Sequence, residues 1–312
     1  MQVFSSISGA GALRGCAVAI GNFDGVHLGH RRLFAVAREL AAPRGAPAAA
    51  LTFEPHPVRV LRPQLAPPLL TPLARKLELL AGCDLDAAVV QPFDLSYAGT
   101  EAAEFVARDL VGHLGARDVV VGQDFTAGKG RTRVDGLRQM LAAHGAHLTV
   151  VEPVAWEGLV VSSTKIRELL LEGQVEAATP LLERPHDVDG TIERGDGRGR
   201  GLVFATANLR TVAMLPANGV YAIRAWLNPA GAPLAGVANV GVKPTVQRSG
   251  TVSLEAHLFD TDGRDLYGET LRVAFVARLR EERRFASLDE LRAQIAEDAD
   301  RARALLSGTG TM

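Results

Sequence analysis

The sequence predicts an α/β domain built on a parallel sheet, followed by an all-β antiparallel domain and a closing helix. Three observations carry that prediction. The first half alternates short apolar runs with helix-length amphipathic stretches, the pattern of βαβ units whose strands are buried on both faces. From about residue 183, β-branched or alternating segments follow one another without intervening helices, as in an antiparallel barrel or sandwich. At 312 residues the chain has length for about two average domains of roughly 150 residues.

In the first domain, strands are expected at residues 16–20, 49–53, 87–91, 118–122 and 147–151. Helices are expected at 33–40, where Leu33, Val36, Ala37 and Leu40 share a face, and at 74–80, 102–111 and 134–143. A last helix at about 164–172 ends before Gly173, which takes the left-handed position after a helix. The boundary falls near 182–185, giving domains 1–182 and 183–312. In the second domain, strands are expected at 187–194, 219–227, 234–240, 253–259 and 271–279, separated by turn clusters at 228–231 (NPAG) and 260–263 (DTDG). The final helix, 287–306, takes Ser287 as N-cap and carries Leu288, Leu291, Ile295, Ala299, Ala302 and Leu306 on one stripe.

Composition narrows the function. Formal net charge is −1, so bulk electrostatics favours neither nucleic acid nor an anionic membrane as partner. No apolar run approaches the roughly 18 residues of a membrane span. The N-terminus lacks a secretory signal pattern, and two cysteines, Cys16 and Cys83, offer neither a disulfide framework nor zinc spacing. The expectation is a cytoplasmic protein acting on small-molecule substrates, with at most weak homo-oligomerisation.

The chemistry concentrates at one expected sheet edge. The segment 21–30, GNFDGVHLGH, follows the first clear strand and leads into a helix, where open α/β sheets bind ligands and helix N–H groups face an anion. His27 and His30 can project together from the helix start and donate hydrogen bonds to charge building on a triphosphate. Gly29 removes a side chain where phosphate would approach; a capping or metal-binding accident is the bland alternative. Three further segments end strands or start a helix at the same edge: TFEPHP at 52–57, GQDF at 122–125 and SSTKIR at 162–167. The proline-rich stretch 62–72 reads as an irregular surface loop over this edge, with no role for Gln64 or Thr71. His113, His144 and His147 read as surface or helix-end residues.

The second domain opens with GDGRGRG at 195–201, read as a turn whose glycine N–H groups wrap phosphate rather than as a nucleic-acid contact. Thr206 and Asn208 alternate along an extended chain, a hydroxyl and an amide suited to sharing Mg²⁺ with ATP phosphates. Ser253, Glu255 and His257 share one face of a strand, and a carboxylate in a barrel mouth can accept a proton from a hydroxyl attacking a γ-phosphate.

The order of these motifs resembles the bacterial bifunctional riboflavin kinase/FAD synthetase family over essentially the whole chain. The matching segments are GNFDGVHLGH (21–30), TFEPHP (52–57), VGQDF (121–125), SSTKIR (162–167), GDGRGRG (195–201), VFATAN (203–208), GVANVGVKPT (236–245) and LEAHLFD (254–260). The resemblance implies a Rossmann-like nucleotidyltransferase domain that moves AMP from ATP to FMN, giving FAD and pyrophosphate. It implies a Greek-key β-barrel flavokinase domain that phosphorylates riboflavin, with Mg²⁺. Carried over, His27 and His30 are catalytic, with Gly21, Asp24, Gly29, Ser163, Arg167, Gly195, Gly197 and Gly199 on ATP. Asn22, His56 and Asp124 face flavin, Thr206 and Asn208 hold the metal, and Glu255 is the kinase base. Phe285 and the terminal helix are structural or flavin-side. A different histidine-motif nucleotidyltransferase, such as a pantetheine-phosphate adenylyltransferase, explains the first half alone. A flavin-binding protein with decayed catalytic turns is the non-enzymatic alternative.

The chain departs from the family pattern at Thr126 and Ala127, where Arg and an aromatic usually stand, at Arg133, and at Val203 and Ala205, which replace Gly and Pro. Loss of the proline removes a fixed φ, and a β-branched residue crowds the backbone. The expected outcome is a weakened kinase: a Val203→Gly, Ala205→Pro double variant phosphorylates riboflavin faster than the parent, and equal rates rule this out.

Overall fold

The computed structural model describes residues 1–193, 206–228, 231–242, 252–259 and 266–308. The chain divides into two compact units, Met1–Ser163 and Thr164–Met312. The first holds a six-stranded sheet in the order β1-β4-β3-β2-β5-β6. Its strands are β1 (Gln2–Phe4), β2 (Ala17–Ile20), β3 (Ala48–Glu54), β4 (Ala87–Pro92), β5 (Asp118–Gly122) and β6 (His147–Val151). Every neighbouring pair is parallel. The central strands are buried on both faces, as their unbroken apolar runs demand. Chain order turns outward from β2 in both directions, through β3 and β4 on one side and β5 and β6 on the other. The carboxyl ends of β2 and β5 are thus a topological switch point, where such sheets bind ligands. The edge strand β1 escapes sequence reading because three mostly exposed residues carry no period.

Helix α1 (Leu28–Ala41) starts a turn earlier than the apolar stripe suggests, because His27 caps it. It is followed by α2 (Pro57–Leu61), α3 (Leu73–Ala81), α4 (Leu95–Ala98) and α5 (Ala102–Glu104). From α5 the chain continues as a π-helical stretch, Phe105–His113, in place of the regular helix expected there. Wider turns of this kind leave bonds such as Leu114 N–H to Asp109 O, 3.0 Å. Helix α6 (Val134–Ala143) matches expectation, and a small hairpin, β7 (Ala155–Trp156) and β8 (Leu159–Val160), precedes α7 (Ser163–Leu171).

In the second unit α7 ends as the sequence foretells. Gly173 has φ +75°, its N–H bonds Leu170 O at 3.0 Å, and the Gln174 N–H bonds Leu169 O at 2.8 Å. These paired bonds satisfy carbonyls that a helix end leaves over. An unforeseen helix, α8 (Val175–Leu182), follows at once. A closed barrel then runs in the order β10-β13-β12-β11-β14-β9. Its strands are β9 (His186–Glu193), β10 (Thr206–Arg210), β11 (Gly219–Trp226), β12 (Leu234–Val242), β13 (Val252–Leu258) and β14 (Thr270–Arg280). All pairs are antiparallel. The meander β11-β12-β13, with β14 returning beside β11, is a Greek key. Barrel, not sandwich, is the outcome. Strand β10, too short and polar to register as a strand in sequence, closes the ring.

Helix α9 (Leu288–Gly308) packs Ala299, Ala302 and Leu306 on the outer faces of β11 and β12 through Val220, Ala222 and Val237. The Ser287 hydroxyl accepts from Glu290 N–H at 3.2 Å, the expected cap. Leu288 departs from the expected stripe: it is exposed, and the packed residues of α9 are Ala299, Ala302 and Leu306. A Cβ at Gly173 would lie 2.8 Å from the Arg278 guanidinium, on top of the left-handed φ. Gly173→Ala should therefore cost about 1–2 kcal/mol, read as a lower urea midpoint with unchanged slope.

Candidate active sites

The first site starts from the turn between β2 and α1. Phe23 and Val26 hold φ values of +49° and +43°, and Gly25 +93°. A β-branched residue in that region is strained by roughly 1–3 kcal/mol, so the surroundings must hold it there. Asp24, 2% exposed, is the holding group. Its carboxylate accepts hydrogen bonds from the backbone N–H of Leu70 (3.1 Å) and Thr71 (2.8 Å) and from the Thr71 hydroxyl (3.2 Å). Thr71 Oγ1 in turn accepts from Gly25 N–H at 2.8 Å. The proline-rich stretch is thus latched to the turn by its last residues, and Thr71 is a buried clamp rather than a bystander in a surface loop.

The two histidines lie against each other, ring centroids 3.6 Å apart and 19° from parallel. His27 Nδ1 accepts the His30 backbone N–H at 3.4 Å, which leaves Nε2 to carry the proton of a neutral ring and serve as donor. Gly29 leaves room for that ring: a Cβ there would sit 3.2 Å from His27 Cε1 and Nδ1. Gly21 makes the same allowance for Phe23, whose ring would be 2.8 Å from a Cβ. Phe23 packs edge-on against His30 (5.3 Å) and Phe34 (4.8 Å). The His30 Nδ1 atom is buried and has no hydrogen-bond partner among the described residues. Burial first, then the nearby charges of His27 and Lys76, push the His30 pKa well below the ordinary imidazole range. The lowered pKa favours the neutral form of the His30 ring.

A lysine, Lys76, stands within electrostatic reach of His30. It lies on α3, 2% exposed, where burial lowers its pKa against the opposing pull of the Asp24 and Glu54 carboxylates. Sequence reading passed over it, though the signal existed: Lys76 falls on the apolar stripe with Leu73, Leu79 and Leu80.

The other expected residues divide. The Ser163 hydroxyl donates to Asp24 O at 2.8 Å, bringing the start of α7 onto the turn. Arg167 follows one turn along that helix. Thr52, at the end of β3, bonds Asn22 O at 3.2 Å through its hydroxyl. His56 is buried and caps α2, its Nδ1 accepting Val58 N–H at 3.2 Å. Asp124 is exposed in the turn after β5, closed by Phe125 N–H to Gly122 O at 3.1 Å. Ala127, where the resembled family carries an aromatic, is buried in the core and exchanges two 2.9 Å backbone bonds with Thr132.

The second site lies on the barrel. Leu254, Ala256 and Leu258 are buried on one face of β13, so Glu255 and His257 occupy the other. That face is the outer wall, because Val237, paired with His257, packs against α9. Glu255 is therefore on the wall of the barrel and not in its mouth. It stands in register with Asn208 of β10 on one side and Asn239 of β12 on the other. Thr206 takes the register position opposite His257. Burial holds the His257 pKa below the ordinary range. Phe285 lies 4.9 Å from the Arg283 guanidinium and 5.6 Å from that of Arg280, a stacking role. Gly195, Gly197 and Gly199, with Val203 and Ala205, fall outside the described residues.

A nucleotide-type site at the switch point of a parallel sheet, followed in the same chain by a Greek-key barrel with oxygen donors in a row, defines a two-module ATP-dependent transferase. Comparison with known proteins agrees. The family model for FAD synthetase matches residues 10–165, and that for riboflavin kinase matches residues 182–306. The bifunctional riboflavin kinase/FMN adenylyltransferase of Escherichia coli K12 is 40% identical over 293 residues, covering 93% of this chain and 92% of that protein. The Bacillus subtilis 168 protein of the same name is 35% identical, over 91% of this chain and 90% of its own. A crystal structure described as a macrolide-efflux protein from Streptococcus pneumoniae has a TM-score of 0.86 at 29% identity, covering 96% of this chain and 98% of that one. The chain belongs to the bifunctional riboflavin kinase/FMN adenylyltransferase family. Among the described residues no helix is long and apolar enough to cross a membrane.

Thr71→Val keeps the shape of the clamp and removes its hydroxyl. It should cost about 1–3 kcal/mol in chemical denaturation and lower FAD formation. Unchanged stability and rate would show that the Asp24 carboxylate holds the turn without it.

Proposed function

We propose that this chain makes FMN and then FAD. In the barrel, the 5′-hydroxyl of riboflavin attacks the γ-phosphorus of ATP, the bond to the β-phosphate oxygen breaks, and ADP leaves. Glu255 takes the hydroxyl proton. In the α/β unit, a phosphate oxygen of FMN attacks the α-phosphorus of ATP and pyrophosphate departs, giving FAD. The observation that carries this reading is the paired presence of both family matches on the two folds that hold these residues. The matches at 10–165 and 182–306 support a functional boundary near residue 183, although α7 and α8 group with the barrel by contact.

Residue roles follow the chemistry of the site. Neutral His30 and the His27 Nε2–H donate to oxygens gaining charge in the adenylyl step, and Lys76 adds a cation without covalent participation. Ser163 and Arg167, with Gly21, Asp24 and Gly29, form the ATP side; Asn22, His56 and Asp124 form the flavin side. Gly195, Gly197 and Gly199 wrap the phosphates in the kinase step. A magnesium ion would suit the donor types of Thr206 and Asn208, a hydroxyl and an amide oxygen, with Asn208 in register with Glu255. When bound it would neutralise ATP phosphate charge. We further place the protein in the cytoplasm, at most weakly self-associating.

The test follows FMN and FAD by chromatography with Mg²⁺–ATP and either flavin. His30→Ala should cut FAD formation roughly 100-fold or more while sparing FMN formation. Glu255→Gln should do the reverse by a similar factor. FAD synthesis untouched in His30→Ala would displace the first site.

A further inference from the structure

The outer wall of the barrel carries one more charged group whose placement has a use. Glu282, in the segment after β14, lays its carboxylate across β12. Its Oε1 accepts the Asn239 Nδ2 hydrogen at 3.1 Å. Two residues on, Gly241 makes the room: a Cβ there would overlap Oε1 and lie 2.8 Å from the carboxylate carbon. Gly241 is paired with Ser253, whose hydroxyl bonds the Gly241 carbonyl at 3.2 Å, so the floor under Glu282 is fixed from the other side.

A carboxylate accepts hydrogen bonds and donates none. Its bond to Asn239 therefore decides which way that amide faces, turning the NH₂ to Glu282 and leaving Oδ1 as an acceptor. Asn239 pairs with Glu255, and Glu255 pairs on its other side with Asn208. The three form a line across β10, β13 and β12, with the base in the middle. If Asn208 belongs to the nucleotide and metal side, the opposite neighbour of the base belongs to the phosphoryl acceptor. We propose that Asn239 is an acceptor-side binding residue for a polyhydroxyl chain, and that Glu282 is the positioning residue that orients it. The inference rests on the kinase reading above and deepens it.

The experiment measures riboflavin phosphorylation by the full chain, with separate KM values for riboflavin and ATP, in Glu282→Ala, Glu282→Gln and Gly241→Ala. Glu282→Ala releases the amide. Gly241→Ala displaces the carboxylate while leaving both partners chemically intact, and only the flexible end of a side chain has to move. Both should raise the riboflavin KM about three- to tenfold with the ATP KM within about twofold. Glu282→Gln keeps an oxygen to accept from Asn239 and should stay within about twofold of the parent. FAD formation from FMN by the same variants reports on folding outside the barrel, and melting temperature reports on the whole. Riboflavin KM unchanged in Glu282→Ala and Gly241→Ala overturns the proposal while the kinase reading stands. So does Glu282→Gln falling as far as Glu282→Ala, since charge rather than orientation would then be at work. Should Gly241→Ala fail to fold, the contrast between the two Glu282 variants decides. A parent chain that does not phosphorylate riboflavin overturns the kinase reading and this inference with it.

Discussion

The α/β unit depends on one buried carboxylate. Asp24 gathers two backbone N–H groups and a hydroxyl from Leu70 and Thr71, and its own carbonyl takes the Ser163 hydroxyl. Those bonds offset the left-handed backbone at Phe23 and Val26 and help fix the start of α1. The histidines inherit their position from that helix start, since His27 caps it and His30 lies one turn in. One residue therefore joins distant segments, its carboxylate to Leu70 and Thr71 and its backbone carbonyl to Ser163, and a buried carboxylate tolerates such a role only when it is fully hydrogen-bonded.

The barrel solves its problem differently. Its interior is filled by alternate residues such as Tyr221, Ile223, Leu254 and Ala256, so nothing reactive enters it. Polar residues on the same strands face outward, and antiparallel register sets Asn208, Glu255 and Asn239 side by side without a loop to arrange them. Helix α9 covers one end of that wall through Ala299, Ala302 and Leu306. The row stands on strands, where side chains are positioned more precisely than on loops.

Legibility in the sequence followed the length of the physical signal. Long apolar periods placed five of the six parallel strands, the Gly173 helix stop and the Ser287 cap. The GNFDG turn and its histidines were readable because glycine spacing after a strand has few other uses. What escaped had no period or acted over distance. Strand β1 is three residues long, β10 is polar, and α8 carries Pro180 inside it, against helix propensity. Thr71 and Lys76 come to the turn only because α3 folds back against it; the apolar stripe marks Lys76 as buried, but no local pattern says against what. Glu255 was found by its motif yet set in the barrel mouth. Which face of an alternating strand turns outward is settled by what packs on the neighbouring strand, here Val237 against α9.

The strained turn has a thermodynamic consequence. Because Phe23 and Val26 already hold left-handed backbone, the ordering entropy of this loop is spent when the chain folds, not when a nucleotide arrives. A loop that closes on its ligand would surrender part of the binding free energy to its own immobilisation. Here that loss is absorbed by the Asp24 network beforehand. The α/β unit therefore trades some folding stability for a turn whose backbone is set in advance.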